Sequence, residues 1–80
     1  MARHIFILAG GHKQAANFAR DNGLWPQHWT FLHNENQLRG LYEPHYIKIG
    51  DWFCLKNIER LEQMLHERKA IECKSVTVLN

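Results

Sequence analysis

Residues 4–9, His-Ile-Phe-Ile-Leu-Ala, run directly into Gly10-Gly11. On an extended chain successive side chains point to opposite faces, so the four large apolar residues Ile5–Leu8 present grease on both sides. Such a segment is a central strand with neighbours on either edge and cover on both faces. The two glycines close it and leave room for a sharp turn.

The following segment predicts the cover. Residues 12–22 read as a helix with a narrow stripe of Ala15, Ala16, Phe18 and Ala19, small enough for close approach to a sheet. Gly23 stands where a left-handed C-cap glycine belongs. Leu24-Trp25-Pro26 is a connector, since Pro26 forbids a continued helix. Residues 29–32 (Trp-Thr-Phe-Leu) read as a second strand and His33-Asn34-Glu35-Asn36 as a polar turn. Residues 37–41 suit one helical turn or a loop. Residues 46–49 read as a third strand, with Ile47 and Ile49 on one face and Tyr46 and Lys48 on the other. Residues 57–69 read as a helix with Asn57 as N-cap and a stripe of Ile58, Leu61, Met64 and Leu65. Residues 75–79, Ser-Val-Thr-Val-Leu, alternate and read as the last strand.

Helices between strands favour parallel pairing through right-handed crossovers. The expected fold is therefore α/β: a small Rossmann-like β-α-β-β-α-β domain with a mostly parallel four-stranded sheet and strand one central. About a dozen residues separate strands two and three, close to the lower limit for a crossover. An antiparallel strand is the alternative there. Eighty residues make one domain, 1–80; at this size only about 60% of the unfolded surface is buried, and a homodimer is one way to bury more.

Charge narrows the partners. Ten Lys and Arg against eight Asp and Glu give a net charge of +2 with no run of like charge. That balance does not favour nucleic acid, whose binding rests on phosphate neutralisation, although Lys13, Arg20, Lys48, Lys56, Arg60, Arg68 and Lys69 are candidates for a patch. No segment is long and apolar enough to span a membrane, no secretory signal is evident, and two cysteines, Cys54 and Cys73, suit free thiols in a reducing cytoplasm. Six scattered histidines lack zinc-protease spacing and no C-x-x-C occurs, so neither metal nor cofactor is expected. One serine, Ser75, falls in a strand without a nucleophile elbow, so no catalytic residue is assigned. His12 and Asp51 are the one conceivable acid–base pair.

In open parallel sheets, ligands sit beyond the carboxyl ends of the strands, where loops feed helix N-termini. Three loops qualify: Gly10-Gly11-His12-Lys13, His33-Asn34-Glu35 and Gly50-Asp51-Trp52. The first lets backbone approach a ligand, and Lys13 suits a phosphate or carboxylate. Yet Gln14 stands where a P-loop has Ser or Thr, and the third glycine of a dinucleotide motif is missing. A tight turn explains Gly10-Gly11 more simply than a nucleotide site does. Arg39, beside Gly40, suits an anion or, more simply, a tie to loop carbonyls. Trp52 suits stacking on a base or partner, or a lid over the sheet. The candidate binding set is thus Gly10, Gly11, His12, Lys13, Asn34, Arg39, Gly50, Asp51 and Trp52.

Ile5-Phe6-Ile7-Leu8-Ala9-Gly10-Gly11, Asn22-Gly23-Leu24, Leu38-Arg39-Gly40 and Ile47-Lys48-Ile49-Gly50-Asp51-Trp52 together resemble small Rossmann-like proteins encoded by phages and prophages, over roughly residues 4–69. The resemblance implies that fold and a phage or prophage origin; it supplies no catalytic residues. With it, the expectation is a non-enzymatic domain engaging a host or phage protein or a small anionic ligand. The alternatives are a nucleotide-binding or nucleotide-processing enzyme and a nucleic-acid-binding accessory protein.

Overall fold

The computed structural model describes residues 4–73. It is an α/β domain with a four-stranded, all-parallel sheet: β1 Ile5–Leu8, α1 His12–Asp21, β2 Trp29–Phe31, β3 His45–Lys48, α2 Ile58–Glu67 and β4 Ile71–Glu72. The strand order is β2-β1-β3-β4, which puts β1 inside the sheet. Ile5, Ile7 and Leu8 are fully buried, as the two-faced apolar run requires. The strand read at 75–79 lies outside the described residues. The fourth strand of the described sheet is Ile71–Glu72, paired to β3 through Ile71 N–H on the Pro44 carbonyl (2.8 Å).

Alternation along the strands sorts the core into two layers. Ile5, Ile7, Ala9 and Ile47 point to the face covered by α1, where they meet Ala15 and Ala19. Phe6 and Leu8 point the other way and meet Leu61 and Leu65 of α2. Topology explains why the helices take opposite faces. The chain moves one way along the sheet from β1 to β2 and the other way from β3 to β4, so crossovers of one hand place the two helices on opposite sides.

The short link from β2 to β3 passes over β1 on the α2 face. It manages this in residues 32–44 by burying Leu32 and Leu38 in the second layer. A 3-10 turn, Glu35–Leu38, carries Leu38 inward, so the polar turn and the helical turn read separately from sequence form one unit. Asn34 caps it, accepting from Asn36 N–H at 2.9 Å, while Gln37 Oε1 accepts from Asn34 N–H (2.9 Å) and His33 N–H (2.8 Å). The parallel geometry is kept because this buried turn replaces a full crossover helix.

Helix ends follow one pattern with different residues. α1 closes with Gly23 at φ +71°, Gly23 N–H on Arg20 O and Leu24 N–H on Ala19 O, a Schellman closure. α2 closes the same way, with Lys69 N–H on His66 O and Ala70 N–H on Leu65 O, but Lys69, a non-glycine, holds φ +54°. Asn57 occupies the N-cap position of α2 without capping it; its Nδ2 instead donates to the His33 carbonyl at 2.9 Å, tying α2 to the loop after β2. No helix among the described residues is long and apolar enough to cross a membrane.

Candidate functional site

The loops that leave β1 and β3 diverge on opposite sides of the sheet, one into α1 and one toward α2. Between them lies the topological switch point, where a doubly wound sheet leaves a crevice beyond its strand ends. A cavity of about 500 Å³ opens there, lined by Gly10, Gly11, Lys13, Gln14, Asn17, Asp51 and Cys54.

Gly11 is the N-cap of α1 in extended backbone, and no side chain caps the helix. The first intrahelical bond is Ala15 N–H on Gly11 O (3.2 Å), so the N–H groups of the preceding turn have no helical acceptor. No acidic residue occupies that turn. The positive end of the helix dipole and Lys13 therefore face the rim together. Asp51 contributes the opposing charge. Neither Lys13 nor the Asp51 carboxylate forms an ion pair among the described residues, where the pairs are Lys48–Glu62 (2.9 Å) and Arg60–Glu35 (3.1 Å).

Gln14 dominates the crevice. Its Oε1 accepts from Gly10 N–H at 2.7 Å and from Asp51 N–H at 3.0 Å. One side-chain oxygen thus joins the loop after β1 to the loop after β3. The contact needs glycine at two places: a β-carbon on Gly10 would sit 2.9 Å from Asp51 Cβ, and one on Gly50 would overlap the Gln14 carboxamide. Gly50 also holds φ +51°, which side chains rarely adopt.

The candidate residues separate into groups. Gly10, Gly11, Lys13 and Asp51 line the switch-point cavity, while Gly50 is not in its lining but packs against Gln14. His12 turns to the β2 side, its ring 5.8 Å from Trp29 and 5.9 Å from Phe31, and lines a second cavity of about 270 Å³ with His33 and Gln37. The structure thus does not bring His12 and Asp51 into one cavity. Asn34 lies on the same carboxyl rim but is committed to capping. Arg39 ends the 3-10 turn, exposed, away from the lining of the switch-point cavity. Trp52 is partly buried against the α2-side layer, with Lys48 Nζ 4.3 Å from its ring centre, so the aromatic exposed at that rim is its neighbour Phe53.

Three residues of the cavity lining, Gln14, Asn17 and Cys54, lie outside the candidate set. Gln14 was visible only as a departure from the P-loop pattern, and Asn17 one turn further along α1 carried no signal. Of the two cysteines, Cys73 is buried in the α1-side layer and Cys54 is exposed beside the cavity. Of the seven cations considered for a patch, Lys48 and Arg60 are held by glutamates. No group of three or more His, Cys, Asp or Glu among the described residues could hold a metal ion.

The fold defines a small Rossmann-like α/β domain with its crevice at the β1/β3 switch. Comparisons of the chain with protein-family models, curated proteins and solved structures return no match.

Proposed function

We propose that this chain is a small non-enzymatic binding domain that takes a small anionic ligand at the β1/β3 crevice. The observation that carries the reading is convergence: Gly10 N–H and Asp51 N–H, from loops on two different strands, aim at one point already filled by an oxygen. Beside that point lie the uncapped N-terminus of α1, Lys13 and an open cavity. Backbone donors of this kind, grouped with a cation, are what phosphate and carboxylate groups require.

The groups around the cavity supply hydrogen bonds and charge rather than a coupled nucleophile and base. Among the described residues no hydrogen bond joins the Cys54 side chain to a base, and His12 lines a different cavity. Asp51 opposes any anion, so the ligand is expected to bind through a localised anionic group directed at Lys13 and the helix N-terminus. A nucleotide is one member of that class, favoured by the position of the cavity at the switch point and by exposed Phe53 nearby. The resemblance to phage-encoded proteins bears on where such a domain would be made, not on this site.

The experiment is a thermal-shift screen against inorganic phosphate, small carboxylates and nucleotides. A ligand at 100 times its Kd adds about 2.7 kcal/mol to stability, because it binds only the folded state. For a domain this small that moves Tm by more than about 10 °C. No shift with any of these at millimolar concentration overturns the reading.

A further inference from the structure

We infer that the Gln14 carboxamide is an internal occupant of the anion site, which an incoming anionic oxygen displaces. The inference rests on the anion-binding reading above and concerns how the free protein holds that site.

Gln14 sits at the third position of α1, where a side chain can reach back to the N-cap amide as in a capping box. Gln37 does so at the 3-10 turn, bridging two consecutive amides, His33 and Asn34. Gln14 reaches one residue further back, to Gly10, and its second donor is Asp51, 37 positions away. Local capping does not call for that second bond. It exists because the β3 loop aims its amide at the place where the β1 loop aims one too. The absence of a β-carbon on Gly50 leaves the space that the carboxamide fills.

The occupant is neutral, and a charged acceptor is favoured over it, since hydrogen bonds to an ionised oxygen are roughly twice as strong. The side chain is only partly buried and stands in the first turn of an exposed helix edge, so it can swing toward solvent without disturbing the core. The cavity and Lys13 lie beside it, ready to hold the anion that replaces it. A site filled by its own side chain nine-tenths of the time binds about tenfold more weakly than an open one.

The test is a ¹H–¹⁵N NMR titration of the full chain with inorganic phosphate and, separately, with acetate, in wild type, Gln14→Ala and Gln14→Glu. Gln14→Ala is expected to bind phosphate, acetate or both about tenfold more tightly than wild type, with the Gly10 and Asp51 amides among the resonances that move. Gln14→Glu places a tethered carboxylate on the same two amides. It is expected to shift both resonances without added anion and to respond to neither probe, and this variant carries the test should Gln14→Ala fail to fold. Equal affinity in wild type and Gln14→Ala, or in wild type and Gln14→Glu, overturns the internal occupant and leaves the anion site standing. No response in wild type or Gln14→Ala, with the Gly10 and Asp51 amides unmoved in Gln14→Glu, overturns both.

Discussion

The carboxamide of Gln14 fills the volume that a side chain on Gly50 would claim. Gly50 also lies at φ +51°, so Gly50→Ala meets two obstacles, backbone strain and the displaced glutamine. The expected loss is roughly 1–3 kcal/mol in chemical denaturation, most of it from the strained backbone. The Gly10 and Asp51 amides should also exchange faster with solvent deuterium, since they lose their acceptor. Unchanged exchange at both amides would mean that the glutamine keeps its place.

Lys13 and Asp51 bring opposite charges to the lining of one cavity, so under the proposed anion binding they should act with opposite sign. Lys13→Ala is expected to weaken anion binding about fivefold, or about 1 kcal/mol, the scale of one exposed charge near a helix terminus. Asp51→Asn is expected to strengthen it by a similar factor. Both follow from titrations at fixed ionic strength, and both differences should shrink as salt is raised. Equal effects of the same sign would show that charge is not what the cavity reads.

Lys69 makes the Schellman turn of α2 at φ +54°, where Gly23 does the same work for α1. Replacing it with glycine relieves the strain of a β-carbon in left-handed backbone, partly offset by greater freedom of the unfolded chain. Lys69→Gly should therefore raise stability by about 0.5 kcal/mol, a Tm gain of a few degrees by calorimetry.

Leu38 is fully buried and is what lets residues 32–44 cross β1 without a helix. Leu38→Ala should cost about 2–5 kcal/mol. A domain of this size has only roughly 4–12 kcal/mol in total, so the variant should lose a large share of it and melt roughly 10 °C or more below wild type by circular dichroism.

Tyr46 faces the α2 side of β3, and its phenol pKa is raised above the ordinary 10.0, first by partial burial and then by the negative charge of Glu72, with Lys48 pulling the other way. The folded state thus holds this proton more tightly than the unfolded chain does. Its contribution to stability is complete below pH 10 and falls as pH climbs through the folded-state pKa. Unfolding curves should show a decline above pH 10 that is smaller in Tyr46→Phe.

Much of the architecture is legible in local pattern. The two-faced run at Ile5–Leu8 announces a central strand, Gly23 marks the end of α1, and alternation assigns Ile47 and Tyr46 to opposite layers, as found. The carboxyl rim follows from parallel order alone. What no local pattern reveals is contact between distant segments. Asn57 has the residue type and position of a cap, yet its side chain prefers a carbonyl 24 positions back. Trp52 looks like a free loop aromatic until Lys48 and the α2-side layer are placed around it. His12 follows the glycine turn directly but is drawn aside by the aromatic rings of β2. Gln14 earns its role only when Asp51 arrives opposite it.

Gln37, having bridged the amides of His33 and Asn34, also donates its Nε2 to the Phe31 carbonyl at 3.0 Å. Leu32 N–H points inward to Ile7, so the Phe31 carbonyl points outward from the sheet. A neighbouring molecule approaching along β2 therefore finds its acceptor at that end already taken. The side chain that shapes the turn thus also leaves one edge acceptor fewer for strand pairing on this flank.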